Sequence, residues 1–179
     1  MIGVLVSGEG SNLQALLDAG LPVSAVASNR AGVRALERAA AVGVPAVAFE
    51  LDGFADREQR DVTMANWLQE HGVRLVVCAG YMQLLTAPFL DRFPERIVNV
   101  HPSLLPQFPG ARPIDDALAA GVETTGVTVH LVDEGLDTGP VIRQEPVPVE
   151  PHETLTERIH AVEHRLLPEV VRDLVGVGT

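Results

Sequence analysis

The chain has 179 residues, 24 of them acidic and 13 basic, for a net charge of −11, and every basic residue is an arginine. Without lysine, Schiff-base and pyridoxal-phosphate chemistry lack their amine nucleophile, and a P-loop nucleotide hydrolase lacks the lysine of its phosphate-binding motif. The acidic balance also argues against the broad positive field with which general nucleic-acid binders capture phosphates.

A chain of this length reads as one domain, residues 1–179, able to bury about 70% of the surface that its unfolded form exposes. Cys78 stands alone, so no intrachain disulfide can form; inside the apolar run LVVCAG it reads as a small buried hydrophobe. No apolar run approaches the ~20 residues of a membrane span. Met1 leads straight into IGVLV, without the basic and long apolar regions of a secretory signal. A soluble, cytoplasmic protein is expected.

Along the chain, short β-branched runs alternate with helical patterns, the signature of βαβ units and a parallel sheet. Ile2 to Val6 predicts a strand, SGEG a tight turn, and Ser11 the start of a helix through NLQALLDA. Val23 to Ala27 predicts a second strand, Val33 to Val42 a helix, and Val44 to Phe49 a third strand. Residues 56–71 look helical, Leu75 to Ala79 is a strand buried on both faces, Pro88 to Phe93 a short helix, and Arg96 to His101 a strand ended by Pro102. HPSLLPQFPGARP is a proline-punctuated loop. A helix from Ile114 to Ala120, a strand from Gly126 to Val132 and the loop DEGLDTG follow. Val141 to Val149, interrupted by Pro146 and Pro148, suits an edge strand. A capping box from Thr154 to Glu157 opens a last helix towards Leu174, bent at Pro168.

Three constellations could carry chemistry. In SGEGSN, glycines let backbone N–H groups converge at a helix N-terminus, which makes an anion site. The third glycine of a dinucleotide fingerprint falls on Leu13, so the phosphate of a mononucleotide fits better than NAD, and a tight turn without ligand is the alternative. In IVNVHPS, Asn99 and His101 lie two apart at the carboxyl end of a strand, on one side of it. An amide beside an imidazole can stabilise an oxyanion and move a proton; a structural histidine is the alternative. The loop DEGLDTGP offers Asp133, Glu134 and Asp137, one of which could orient His101 and favour its charged form, although all three could simply face water. HAVEH, residues 160–164, matches an inverted zinc-protease pattern but lacks a third ligand beyond its own helix. A solvated helix face, or one residue reaching a substrate, fits it better.

SGEGSNLQALLDA, AGYMQLLTAPFL, IVNVHPSLLPQFPG and GVTVHLVDEGLDTGPVI, in this order and over essentially the whole chain, closely resemble the phosphoribosylglycinamide formyltransferases. The resemblance implies a single-domain, Rossmann-like α/β fold with a mostly parallel twisted sheet, helices on both faces and an antiparallel portion in the C-terminal third. It implies transfer of the formyl group of 10-formyltetrahydrofolate to the amine of glycinamide ribonucleotide in purine biosynthesis, with no metal. By the same resemblance, Asn99, His101 and Asp137 are catalytic, and Gly10, Ser11, Asn12 and Glu163 bind the ribonucleotide. Folate contacts fall on Arg57, Met82, Gln83, Leu84, Leu85 and Asn99. The implied partners are small-molecule substrates, with neither nucleic acid nor membrane, and a homodimer is left open. Glu9 brings a carboxylate into the phosphate turn, so its side chain is expected to point outward. GARPIDDAL is more like the methionyl-tRNA formyltransferases. The alternatives are a deformylase, a sugar or tRNA amine formyltransferase, or a noncatalytic nucleotide-binding module.

Overall fold

The computed structural model describes residues 1–176. Among the described residues, seven strands form one sheet of order β3-β2-β1-β4-β5-β6-β7, and the chain divides into two compact units, with the boundary after Val98. The first unit holds β1 (Ile2–Val6), α1 (Ser11–Asp18), β2 (Val23–Ser28), α2 (Arg34–Ala41), β3 (Ala46–Ala48), α3 (Arg57–Glu70), β4 (Leu75–Cys78) and α4 (Ala87–Leu90). Here β1 lies between β2 and β4, parallel to both, and β2 pairs in parallel with β3. Every residue of β1 is buried. Because alternate side chains of a strand face opposite ways, both faces of this strand are covered.

The second unit begins within β5 (Ile97–His101) and continues through α5 (Pro113–Ala120), β6 (Thr124–Leu131), β7 (Val141–Pro148) and α6 (Leu155–Gly176). β6 and β7 pair antiparallel, Thr124 opposite Pro148 and His130 opposite Val141. The mostly parallel α/β sheet with an antiparallel C-terminal portion is therefore borne out. Leu155, Ile159, Leu166, Val170 and Val171 give α6 a buried face.

Local differences from the expected elements have identifiable causes. β3 is shorter than residues 44–49 because Pro45 has no N–H to donate, although its carbonyl accepts from Val26 N at 2.9 Å. The short helix α4 starts at Ala87 and ends at Leu90, before the expected end at Phe93, a residue that precedes Pro94 and is disfavoured in helix. The capping box at Thr154 does not form. Thr154 closes a 3-10 turn, His152–Thr154, and its hydroxyl donates to Pro151 O at 3.3 Å and accepts from Arg158 Nε at 3.1 Å. Arg158 instead ties the helix entry to the end of β7, donating to the carbonyls of Pro148, Val149 and Pro151. α6 runs through Pro168, whose missing N–H leaves one helical bond unmade. Cys78 is buried as expected, and burial pushes its thiol up to about 12.

Candidate active site

In the second unit, β5 ends with Asn99 and His101, and β6 brings His130 beside them. Asn99 Nδ2 lies 3.2 Å from His130 Nε2. His130 Nδ1–H donates to Leu131 O at 2.8 Å, which leaves Nε2 as the acceptor in the neutral ring. When the ring is charged, Nε2–H points instead towards Asp137 Oδ1, 3.6 Å away. The other carboxylate oxygen, Oδ2, sits 3.5 Å from His101 Nδ1 and accepts from Gly110 N at 2.9 Å. His101 Nε2–H donates to Phe108 O at 2.8 Å. His101 is 5% exposed and His130 2%, so both rings lie largely out of water.

The loop after β6 explains which acid reaches the histidines. Asp133 Oδ1 accepts from Gly135 N at 3.0 Å and from the Thr138 hydroxyl at 2.6 Å, so this carboxylate holds the loop in shape. A Cβ at Gly139 would lie 1.8 Å from Leu131 O, so only glycine lets the chain turn back against β6. Asp137 takes a left-handed conformation, φ 54°, and so does Phe108, φ 51°. Both of these strained residues touch His101, the kind of site where backbone strain is retained. Burial pushes the Asp137 carboxyl up, but the hydrogen bond with His130, the Gly110 N–H and the charges of His101 and His130 together hold it below its ordinary value. Of the three acids left open by the sequence, Asp137 is the one beside the imidazoles, while Glu134 is exposed. His130 was not singled out from the sequence. Its one signal was an imidazole interrupting the apolar and hydroxyl alternation of GVTVHLV.

In the first unit, Gly10 takes φ 72° and ψ 32° at the N-cap of α1. A Cβ there would lie 2.6 Å from that of Ala35, so α2 packs directly on the turn. Glu9 points outward, as expected: its side chain is 73% exposed and pairs with Arg34 at 3.4 Å. Arg38 Nε donates to Glu9 O at 2.8 Å and its NH1 to Gln14 Oε1 at 3.1 Å, bracing the turn and the first residues of α1 from outside. Ser11 and Asn12 occupy the first turn of α1. The same unit places Arg57, the first residue of α3, against the expected folate stretch: its NH2 donates to Leu84 O at 2.5 Å. Met82, Gln83 and Leu84 are exposed, and Leu85 is buried. Glu163 is buried in α6, 5% exposed. His160 and His164 of the HAVEH segment stack at 6.1 Å, and burial, then the neighbouring His160, holds His164 below its ordinary value. Among the described residues, no group of three or more His, Cys, Asp or Glu could hold a metal ion. No helix among them is long and apolar enough to cross a membrane.

A mostly parallel α/β sheet that brings an amide and an imidazole at the end of β5 together with an imidazole of β6 and a carboxylate of the following loop defines the class of the fold and the site. The chain belongs to the formyl transferase family, whose model matches residues 1–171. It is similar to the phosphoribosylglycinamide formyltransferase of Mycobacterium tuberculosis, at 46% identity over 98% of this chain and 85% of that protein. It is also similar to the trifunctional purine biosynthetic protein adenosine-3 of Drosophila pseudoobscura pseudoobscura, at 45% identity over 95% of this chain. The chain spans only 13% of that relative's length. The crystal structure of glycinamide ribonucleotide transformylase 1 from Symbiobacterium toebii superposes with a TM-score of 0.92 at 47% identity, covering 96% of this chain and 85% of that one. The resemblance read from the motifs is borne out along nearly the whole chain.

Proposed function

We propose that the chain transfers the formyl group of 10-formyltetrahydrofolate to the amine of glycinamide ribonucleotide, a step of purine biosynthesis carried out in the cytoplasm. The observation that carries this reading is the cluster of Asn99, His101, His130 and Asp137, with both imidazoles buried, on a chain similar to proteins named for that reaction. The substrate amine attacks the formyl carbon, forming a C–N bond, and the formyl oxygen gains negative charge. The Asn99 amide and the protonated His101 ring donate to that oxygen, which replaces Phe108 O as the partner of His101 Nε2–H. Asp137 faces the opposite ring nitrogen and balances the imidazolium charge. Collapse of the intermediate breaks the bond between the carbon and folate N10, and the surplus amine proton passes through water to N10.

Gly10, Ser11 and Asn12 then hold the phosphate by backbone N–H groups at the start of α1, and Glu163 accepts from the ribonucleotide. Arg57 and Met82, Gln83, Leu84 and Leu85, with Asn99, serve the folate. Support comes from the left-handed Gly10, the outward Glu9 and the exposed apolar Met82 and Leu84. The test is purified protein with 10-formyltetrahydrofolate, with and without glycinamide ribonucleotide, following the folate product by absorbance. Turnover that requires the ribonucleotide is expected. Turnover without any amine would identify a deformylase, and none in either condition a noncatalytic module.

A further inference from the structure

The segment Met82–Thr86 is exposed for three residues, yet three tethers from its own unit fix it. At its start, Met82 N donates at 2.9 Å to the Ser7 hydroxyl, which itself donates to Asn29 Oδ1 at 2.6 Å. In the middle, Arg57 holds Leu84 O. At its end, Thr86 donates twice to Asp61 Oδ2, from its N–H and from its hydroxyl, both at 2.9 Å. Thr86 stands at the N-cap of α4, but its hydroxyl makes no cap bond there because it is committed to Asp61.

Asp61 is fully buried and belongs to α3, whose exposed face could have carried it in water at no cost. Its other oxygen, Oδ1, accepts from Arg60 Nε at 2.9 Å and Arg60 NH2 at 2.8 Å, and Arg60 is 1% exposed. Two adjacent charged residues of one helix are thus taken out of water together. Desolvating such a pair is expensive, and an apolar pair of similar volume often gives equal or greater stability. Stability alone therefore does not account for it. What the pair does that an apolar pair could not is present a carboxylate oxygen to a loop backbone and hydroxyl at fixed geometry. The result is an arm that keeps Met82 and Leu84 63% and 47% exposed on a backbone anchored at both ends. Such a surface is pre-organised for an apolar partner.

We propose that Asp61, balanced by Arg60, is the positioning residue of the Met82–Leu85 arm, setting its geometry for the formyl donor through Thr86. This rests on the assignment of that arm to the folate. Asp61 touches no substrate and acts only through Thr86.

The test uses the full chain with both substrates. Thr86→Val removes the hydroxyl bond and keeps the N–H; Thr86→Ser keeps both. Thr86→Val is expected to raise KM for 10-formyltetrahydrofolate about tenfold, in keeping with one lost hydrogen bond to a charged acceptor. KM for the ribonucleotide and kcat should stay within about threefold, and Thr86→Ser should restore the donor KM. Amide hydrogen exchange at residues 82–85 should accelerate in Thr86→Val and return in Thr86→Ser. Asp61→Asn, checked by circular dichroism for a folded protein, should reproduce the donor-specific effect; should it not fold, the two Thr86 variants decide alone. An active wild type whose variants show an unchanged donor KM, or an equal rise for both substrates, overturns the positioning role alone. A wild type that does not turn over the donor overturns the folate assignment and this proposal with it.

Discussion

His130 links the two functional ends of the cluster. Its Nδ1–H is spent on Leu131 O, so Nε2 serves either the Asn99 amide or, once protonated, Asp137. The orientation of the Asn99 amide therefore depends on the state of the His130 ring. Removing a donor from an oxyanion site costs about 10²–10³ in turnover. Asn99→Ala and His101→Ala are each expected to lower kcat by that order while circular dichroism still shows a folded chain; near-wild-type turnover in either removes the residue from the mechanism. Asp137 carries the pH dependence. Its carboxyl is held below its ordinary value of 3.8 in the folded chain, so its ionised form adds stability above that pH, and the contribution is lost as pH falls through the folded value. The gap in melting temperature between wild type and Asp137→Asn should accordingly narrow on going from about pH 5 to pH 3. A gap that stays constant over that range would show that the carboxylate is not held low by its neighbours. The sequence showed Asn99 and His101 as a pair because period two is a local property. Spacing alone could not choose among Asp133, Glu134 and Asp137, which only the family resemblance separated, because that choice depends on Asp133 being used to hold its own loop.

Strands and helices are legible where the apolar run is continuous, as in β1 and β4, or follows the helical period, as in α6. They were misjudged where a single proline or a competing hydrogen bond decides the boundary, as at Pro45, Pro94 and Thr154. Two elements carry sharp expectations. At the turn between β1 and α1, Gly10→Ala meets both a left-handed φ and a contact 2.6 Å from Ala35 Cβ. The left-handed conformation alone costs about 1–2 kcal/mol. The variant should unfold at lower denaturant and lose affinity for the ribonucleotide, read by calorimetric titration. In α3, the Asp56 side chain caps the helix by accepting from Gln59 N at 2.8 Å. Asp56→Ala should cost about 1 kcal/mol of stability, with KM for the ribonucleotide unchanged.

At the scale of the molecule, the proposed reaction would have an acidic chain handle two acidic substrates. The local cations that remain are single arginines, and Arg34 and Arg38 at the turn are partly satisfied by Glu9. Raising ionic strength from about 0.01 M to 0.15 M shortens the screening length from about 30 Å to about 8 Å. With the net field at −11 repelling both ligands, kcat/KM should rise over that range, the reverse of an enzyme that steers anions with a basic surface. A fall would mean that the local arginines outweigh the rest of the chain. The strand order was not legible in the sequence, since β4 joining β1 rather than β3 is a long-range choice that no local pattern encodes.

The sheet ends at β7, where Val141 and Ile142 are exposed on the last strand. An open apolar edge is a template on which a second chain can zip up. This one is guarded from Arg143 to Pro148: Pro146 and Pro148 offer no N–H, and Arg143 and Glu145 pair with Asp173 and Arg165 of α6. The same prolines and ion pairs that end the sheet thus act as gatekeepers against fibrous association, leaving two unguarded residues at the tip as the place where crowding would first be felt.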